Sequence, residues 1–163
     1  MPNALESYVV NAAAAAFAAG GTYLRQSAEQ VELSVQDRPG PFVILYDFTT
    51  TTATASARAE AAALTLYFAT SRPGAGDDPL AHQAAVLDMD ALRRRFLAAL
   101  DRYPVVQLDG IRVTPFQNFT SAELDGVGCQ FTLTLPAGHV CPPLPIPEPA
   151  TGYPYVLDFV LTA

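Results

Sequence analysis

Residues 41–48 read PFVILYDF, an apolar run rich in β-branched and aromatic residues. These residue types favour β-strands, and an unbroken apolar run is typical of a strand buried on both faces. A turn-forming segment, DRPG at 37–40, comes directly before the run and marks its start. The sequence therefore predicts a central strand at this point, in the middle of a sheet.

Further strands are predicted on both sides of this one. ALTLYFAT at 63–70 is apolar and β-rich, and VELSV at 31–35 alternates apolar with polar residues. FTLTL at 131–135 alternates in the same way, which indicates a half-buried strand. YVLDFVLTA at 155–163 closes the chain as a last strand. Together they predict a mostly antiparallel sheet of about four to six strands.

An N-terminal helix is predicted over residues 3–19, where alanine dominates. Asn3 is a suitable N-cap residue, and Glu6 three positions later completes a capping-box pattern. Gly20 and Gly21 end the helix. A helix with so many small residues can approach another backbone closely.

A second helix is predicted near residues 88–103, where apolar side chains recur at helical spacing. Asp88 or Asp90 can cap it, although a start as early as Leu80 also fits, and Pro104 stops it. With both helices packed on the sheet, the predicted fold class is α+β.

A proline-rich tract, PAGHVCPPLPIPEPATGYP, spans residues 136–154. Proline has no N–H for a sheet ladder, so this tract is predicted to be a loop or a polyproline-type arm. The predicted organisation is a single core domain over 1–135, with the arm and terminal strand at 136–163 belonging to the same domain.

The composition excludes several functional classes. All nine basic residues are arginine, so the chain has neither a Schiff-base lysine nor the lysine of a P-loop. A net charge of −7 argues against a basic surface for nucleic acid. The alanine-rich start has no basic leader and is too weakly apolar to span a bilayer, so we expect intracellular synthesis and no membrane partner.

The triplet Leu-Asp-Gly occurs twice, ending in Asp109-Gly110 and in Asp125-Gly126. The two copies could be a paired acidic site, but too few ligands lie nearby for a metal. Asp-Gly between apolar residues predicts a tight hairpin at the first copy and a turn or bulge at the second. Because such turns need φ > 0, valine at either glycine is expected to impair folding. No metal and no cofactor are expected.

No nucleophile, dinucleotide or phosphate motif occurs in the chain, so it is not expected to be an enzyme. One catalytic alternative remains open, a small hydrolase that uses Cys129 or Cys141 with His139. For these two cysteines, buried free thiols are expected, with a disulfide between them as the other possibility.

The order of elements resembles the tail-terminator proteins of tailed bacteriophages and related contractile injection systems, which are also called tail-completion or neck proteins. The resemblance covers residues 3–135 and consists of the N-terminal helix, PFVILYDF, ALTLYFAT, the helix containing LRRRFLAAL, and IRVTPF followed by ELDGVGCQFTLTL. It implies a small protein without catalytic residues that forms a hexameric ring, caps the tail tube and joins the tail to the neck.

If the resemblance holds, the chain is a structural virion protein made in the host cytoplasm. Its partners would be other copies of itself in a six-fold ring, the tail tube, and sheath or neck proteins, with DNA passing an acidic lumen without specific binding. Candidate inter-subunit contacts are Thr49, Thr50, Thr51, Thr52, Arg93, Arg94, Pro142, Pro143 and Pro145.

Two alternatives to the tail-terminator interpretation stay open. The chain could be another tail or baseplate protein, since the proline-rich section from Pro136 departs from the compact family pattern. It could also be a carbohydrate- or protein-binding module, whose groove would be lined by Phe116, Phe119 and Tyr153.

Overall fold

Two helices and six strands make up the described part of the chain. The computed structural model describes residues 4–17, 20–25, 35, 40–51, 59–71, 78–119, 123–136 and 156–157. Along the chain the elements are α1 (Ala4–Ala16), β1 (Thr22–Arg25), β2 (Phe42–Thr51), β3 (Ala59–Ser71), α2 (Pro79–Asp101), β4 (Gln107–Phe119), β5 (Leu124–Pro136) and β6 (Val156–Leu157).

All six strands belong to one mixed sheet, in the order β4-β5-β3-β2-β1-β6. The neighbours β4/β5, β5/β3 and β3/β2 are antiparallel, whereas β1 runs parallel to both β2 and β6. The predicted α+β class with a mostly antiparallel sheet is therefore confirmed. Strand β1, which no sequence pattern above indicated, is the element that adds the parallel pairings.

Strand β2 lies inside the sheet, between β3 and β1. Residues 42–45 are all buried, so both faces of this strand are covered, which confirms the prediction from PFVILYDF. The strand also continues into the threonine tract: Thr49, Thr50 and Thr51 pair with residues 63, 62 and 61 of β3. A register shift at Tyr46 bends β2 between its buried half and this exposed half.

Helices α1 and α2 cover one face of the sheet and form the main core with it. Alternate residues of β3, including Leu64, Leu66 and Phe68, point to this side, as do Cys129 and Phe131 of β5. The ring of Phe68 contacts that of Phe96 in α2 at 5.3 Å between centroids. The core therefore lies between one helical layer and the sheet.

Helix α2 begins earlier than residue 88. Asp78 is its N-cap, with a carboxylate oxygen that accepts a hydrogen bond from the N–H of Leu80 at 3.0 Å. Pro79 then occupies the first turn, where its missing N–H costs nothing. Asp88 and Asp90, predicted as caps, lie inside the helix instead, and the alternative start near Leu80 is the correct one.

The opposite face of the sheet has a smaller cluster of buried side chains. Val35, from the stretch between β1 and β2, packs there with Leu24, Phe42 and Ile44. Val35 is helical, so the strand predicted at 31–35 is wrong at this residue. The rest of that predicted strand lies outside the described residues.

Glu6 of α1 is buried and forms an ion pair with Arg25 of β1, at 2.8 Å between Oε2 and Nη1. The contact ties the start of α1 to β1. Burial raises the pKa of the Glu6 carboxyl, and the nearby positive charge of Arg25 only partly opposes that shift. Asn3, the predicted cap of the same helix, lies outside the described residues.

Candidate functional site

Strand β4 is one edge of the sheet, and the first Leu-Asp-Gly lies inside it. The register shifts between Asp109 and Arg112, so that Gly110 and its neighbour form a β-bulge. Gly110 has φ 65°, and its N–H bonds to the carboxylate of Asp109 at 2.8 Å. The predicted hairpin at this copy is therefore wrong. The same need for φ > 0 is met by a bulge, as in bulges with a left-handed glycine.

A second irregularity follows at the other end of β4. Two residues, Gln117 and Asn118, stand opposite the single residue Asp125, and Asn118 has φ 52°. Between the two bulges, Pro115 offers no N–H at all. Bulges and proline are features that hinder the pairing of an edge with another strand. The backbone of β4 is thus poorly suited to accept an arm from a neighbouring subunit.

The second Leu-Asp-Gly is not a turn, because β5 runs through it in regular pairing with β3. Asp125 is fully buried, and one of its carboxylate oxygens accepts the N–H of Asn118 at 3.0 Å. The other oxygen lies 2.5 Å from Nδ1 of His82 in α2. The bulge at this copy therefore lies in β4, opposite Asp125, rather than at Asp125 itself.

Gly126 is needed for space rather than for backbone conformation. A Cβ atom at this position would overlap the carbonyl oxygen of Phe68 on the adjacent strand. Its φ is not in the left-handed region, where only Gly20 and Gly110 are found among the described glycines. The reason predicted from the sequence holds for Gly110 and is wrong for Gly126.

The pairing of His82 with Asp125 was missed in the sequence. Forty-three positions separate the two residues, and no spacing rule relates them. The contact closes only because the first turn of α2 lies across the ends of β4 and β5. Both groups are buried, so their hydrogen bond links helix α2 to the sheet.

The outward side of α2 carries an exposed apolar line that we call the α2 seam. Its members follow alternating steps of four and three residues, the spacing of one helix face. They are Leu80, Ala84, Leu87, Ala91, Arg94 and Ala98, and all are exposed. Leu80 and Leu87 are 74% and 63% exposed. A solvated helix face normally carries polar residues here, so the α2 seam is a candidate contact surface.

Arg94 is the one charged member of the α2 seam, whereas Arg93 lies to its side and is half-buried. Both bind Asp90, with nitrogen–oxygen distances of 2.7 Å for Arg93 and 2.8 Å for Arg94. The hydrogen bond from Arg93, with the charges of both arginines, lowers the pKa of Asp90. Of the two predicted contact arginines, only Arg94 is presented outward, with 74% of its side chain exposed.

A second candidate surface lies on the sheet face opposite the helices. A shallow pocket of about 300 Å³, which we call the sheet-face pocket, opens between β3, β4 and β5. Its lining is Thr65, Tyr67, Thr114, Phe116, Gly128 and Gln130. Gly128 forms the floor of the pocket, where a Cβ atom would lie 3.2 Å from the Tyr67 ring and take up part of the space.

Aromatic rings form one wall of this pocket and continue beyond it. Tyr67 contacts Phe116 at 5.5 Å and Tyr46 at 5.4 Å between ring centroids, both edge to face. Partial burial, followed by the influence of Tyr46, raises the pKa of the Tyr67 hydroxyl. Phe116, predicted to line a binding groove, lines this pocket; Phe119 lies at the end of β4 and Tyr153 outside the described residues.

Three of the threonines predicted as inter-subunit contacts lie at the end of β2. Thr49 and Thr50 are exposed at the end of β2, and Thr51 is its last residue. The other predicted contacts lie outside the described residues: Thr52, Pro142, Pro143 and Pro145.

The position of Cys129 does not favour the role of a hydrolase nucleophile. Cys129 is a free cysteine, fully buried among the core residues of β5. Burial raises the pKa of its thiol to about 11, so the reactive thiolate is scarce at neutral pH. Its possible partners Cys141 and His139 lie outside the described residues.

In the part of the chain that is described, no three His, Cys, Asp or Glu side chains converge as metal ligands would. Over the same residues, no helix combines the length and apolarity that crossing a membrane requires. No protein-family model matches the sequence, and no curated protein is significantly similar to it.

Proposed function

We propose that this chain is a structural virion protein of a bacteriophage tail, a terminator or neck component that forms a ring. In that role it caps the tail tube and joins the tail to the head–neck region. The proposal assigns no catalysis and no cofactor to the chain. Its acidic net charge of −7 suits a lumen through which DNA passes without binding.

The observation that carries the proposal is the presence of two different candidate contact surfaces on opposite sides of the fold. The α2 seam faces outward from the helical layer, and the sheet-face pocket opens on the side of the sheet opposite the helices. A ring closed by rotation requires a head-to-tail contact between two unlike surfaces of the same chain. A self-complementary pair would need only one surface.

The order of elements also supports the proposal. An N-terminal helix and the short strand β1 are followed by the antiparallel pair β2/β3, a long helix, the antiparallel pair β4/β5 and the short strand β6. Apart from β1 and β6, this is the order on which the resemblance to tail terminators rests. The six-fold symmetry comes from that resemblance and belongs to the proposal.

Light scattering after size-exclusion chromatography tests the ring, with electron microscopy of the same fractions. We expect a mass that is a fixed multiple of the 17.3 kDa chain, and annular particles with a central hole. Purified tail tubes mixed with these particles should carry one particle at one end. A protein that remains monomeric at high concentration, or rings that ignore tail tubes, would contradict the proposal.

A carbohydrate- or protein-binding module is the second candidate, and one specific observation favours it. The sheet-face pocket combines aromatic rings with threonine and glutamine side chains, a mixture that suits a sugar or a peptide. Retention of a monomeric chain on a glycan array, with loss of retention in Phe116→Ala, would favour this candidate over the ring.

A further inference from the structure

We propose that the α2 seam of one copy docks into the sheet-face pocket of the next copy, with Leu87 as the inserted side chain. This inference rests on the proposed ring and names the two surfaces that build it. The contact would place a helix over the sheet-face pocket of a neighbour, repeating between subunits the helix-on-sheet packing found within each one.

The shapes of the two surfaces support this pairing. Leu87 is 63% exposed and projects from the centre of the α2 seam, where the flanking Ala84 and Ala91 are small. Small flanking residues let the helix approach a flat sheet closely. The pocket volume of about 300 Å³ exceeds that of one leucine side chain, and Tyr67 and Phe116 offer apolar walls.

The charges around the pocket select one orientation of the docked helix. Residue pairing places Arg112, Gln130, Thr65 and Asp47 in one row across β4, β5, β3 and β2. Both terminal residues of the row are exposed and opposite in charge. Arg94 would therefore lie at the Asp47 end of the row and away from Arg112.

The spacing of these groups agrees on the two surfaces. Asp47 lies two strands across and two residues along from Gly128, a separation of about 12 Å by ordinary sheet dimensions. Arg94 lies seven residues beyond Leu87, which is about 10 Å along the helix axis. When Leu87 occupies the pocket, Arg94 can therefore reach Asp47.

Arg94 can bind a neighbouring subunit with little loss of free energy from its present contact with Asp90. In its ion pair with Asp90, the Arg94 side chain is 74% exposed, and Asp90 also keeps its bond to Arg93. The guanidinium has five N–H donors, so it can keep one bond to Asp90 while it binds a neighbour.

A mixing experiment with two variants tests the inference by measuring molecular mass with light scattering. Leu87→Asp blocks the α2 seam and leaves the pocket, whereas Thr114→Arg fills the pocket from an exposed edge position and leaves the seam. Each variant alone should be monomeric at concentrations where the unaltered chain is assembled. Mixed in equal amounts they should form a one-to-one dimer and nothing larger, because only one pair of intact surfaces remains.

Charge exchange gives a second readout. Asp47→Arg and Arg94→Glu should each shift assembly to concentrations at least several-fold higher, and the double variant in one chain should recover much of that shift. Glu60→Arg, an exposed change on β3 that touches neither surface, is the matched control and should assemble like the unaltered chain.

The outcomes separate this inference from the proposed function. If the unaltered chain forms rings and Thr114→Arg also does so, the pocket is not the receiving surface and the inference fails alone. If Leu87→Asp is the only variant that dissociates, two copies of α2 pair with each other instead. A monomeric unaltered chain would overturn both proposals.

Discussion

At the scale of single residues, Asp125 shows how a buried acidic group is accommodated. Both of its oxygens have partners, the N–H of Asn118 and the ring of His82. A buried polar group that loses its partner costs far more than the contact itself contributed. The position therefore tolerates little change, although it belongs to a short motif that is typical of an exposed turn in the sequence.

Replacing Asp125 with alanine should lower the free energy of unfolding by about 1–3 kcal/mol, because His82 and the Asn118 N–H lose their hydrogen bonds to the carboxylate. Urea denaturation measures the loss, and hydrogen exchange should show faster exchange at the Asn118 amide. Asp109→Ala, in the exposed Leu-Asp-Gly, is the control and should change stability by about 0.5 kcal/mol or less. Equal effects at the two sites would contradict the described burial.

The two glycines that follow these aspartates should respond differently to alanine. Gly126→Ala places a methyl group against the Phe68 carbonyl oxygen and should cost at least about 1–3 kcal/mol through overpacking. At Gly110 no atom lies near the new methyl group, so the cost is the left-handed conformation, about 1–2 kcal/mol. The two causes can be separated by substituting asparagine at each position, because the clash at Gly126 is with a backbone atom and affects any side chain. Because asparagine tolerates φ > 0, Gly110→Asn should be nearly neutral and Gly126→Asn should not.

Glu6 should make the protein less stable as the pH rises. Its pKa in the folded state is raised, so the neutral carboxyl is favoured and stability is lost between the unfolded pKa, about 4.3, and the raised folded pKa. Relative to the unaltered chain, Glu6→Gln should gain stability across that range, as measured by urea denaturation from pH 4 to pH 8. A relative loss for Glu6→Gln would mean that Arg25 outweighs burial.

At the scale of elements, α2 has apolar residues on both sides, and only one side is buried. Leu92 and Phe96 face the core, whereas Leu87 belongs to the exposed α2 seam. Leu92→Ala should therefore cost about 2–5 kcal/mol in the monomer. Leu87→Ala should cost about 0.5 kcal/mol or less in the same urea titration and should act on assembly instead. A large loss of monomer stability from Leu87→Ala would show that the helix is rotated from its described orientation.

The same helix shows how far a sequence pattern can be read. Its apolar spacing predicted the element correctly, because the side that packs on the sheet is strongly periodic. The predicted caps were wrong, since three acidic residues, Asp78, Asp88 and Asp90, all precede apolar positions. Only Pro79, which fits the first turn, distinguishes the true start.

At the scale of the whole molecule, long-range contacts account for what the sequence could not reveal. The buried run of β2 was predictable from its composition, whereas the parallel β1 is four residues long and too short to show a period. The sheet-face pocket draws its residues from three strands, which no single segment discloses. The pairing of His82 with Asp125 depends on the same tertiary arrangement.

The irregular edge at β4 has a consequence for the control of assembly. A straight edge would let sheets add to one another without limit, since backbone pairing recognises any strand. Two bulges and Pro115 hinder that route at β4, so subunits of the proposed ring would recognise one another through side chains on opposite faces. Such contacts are specific and separable, which would allow a wrongly placed subunit to leave before the proposed ring closes.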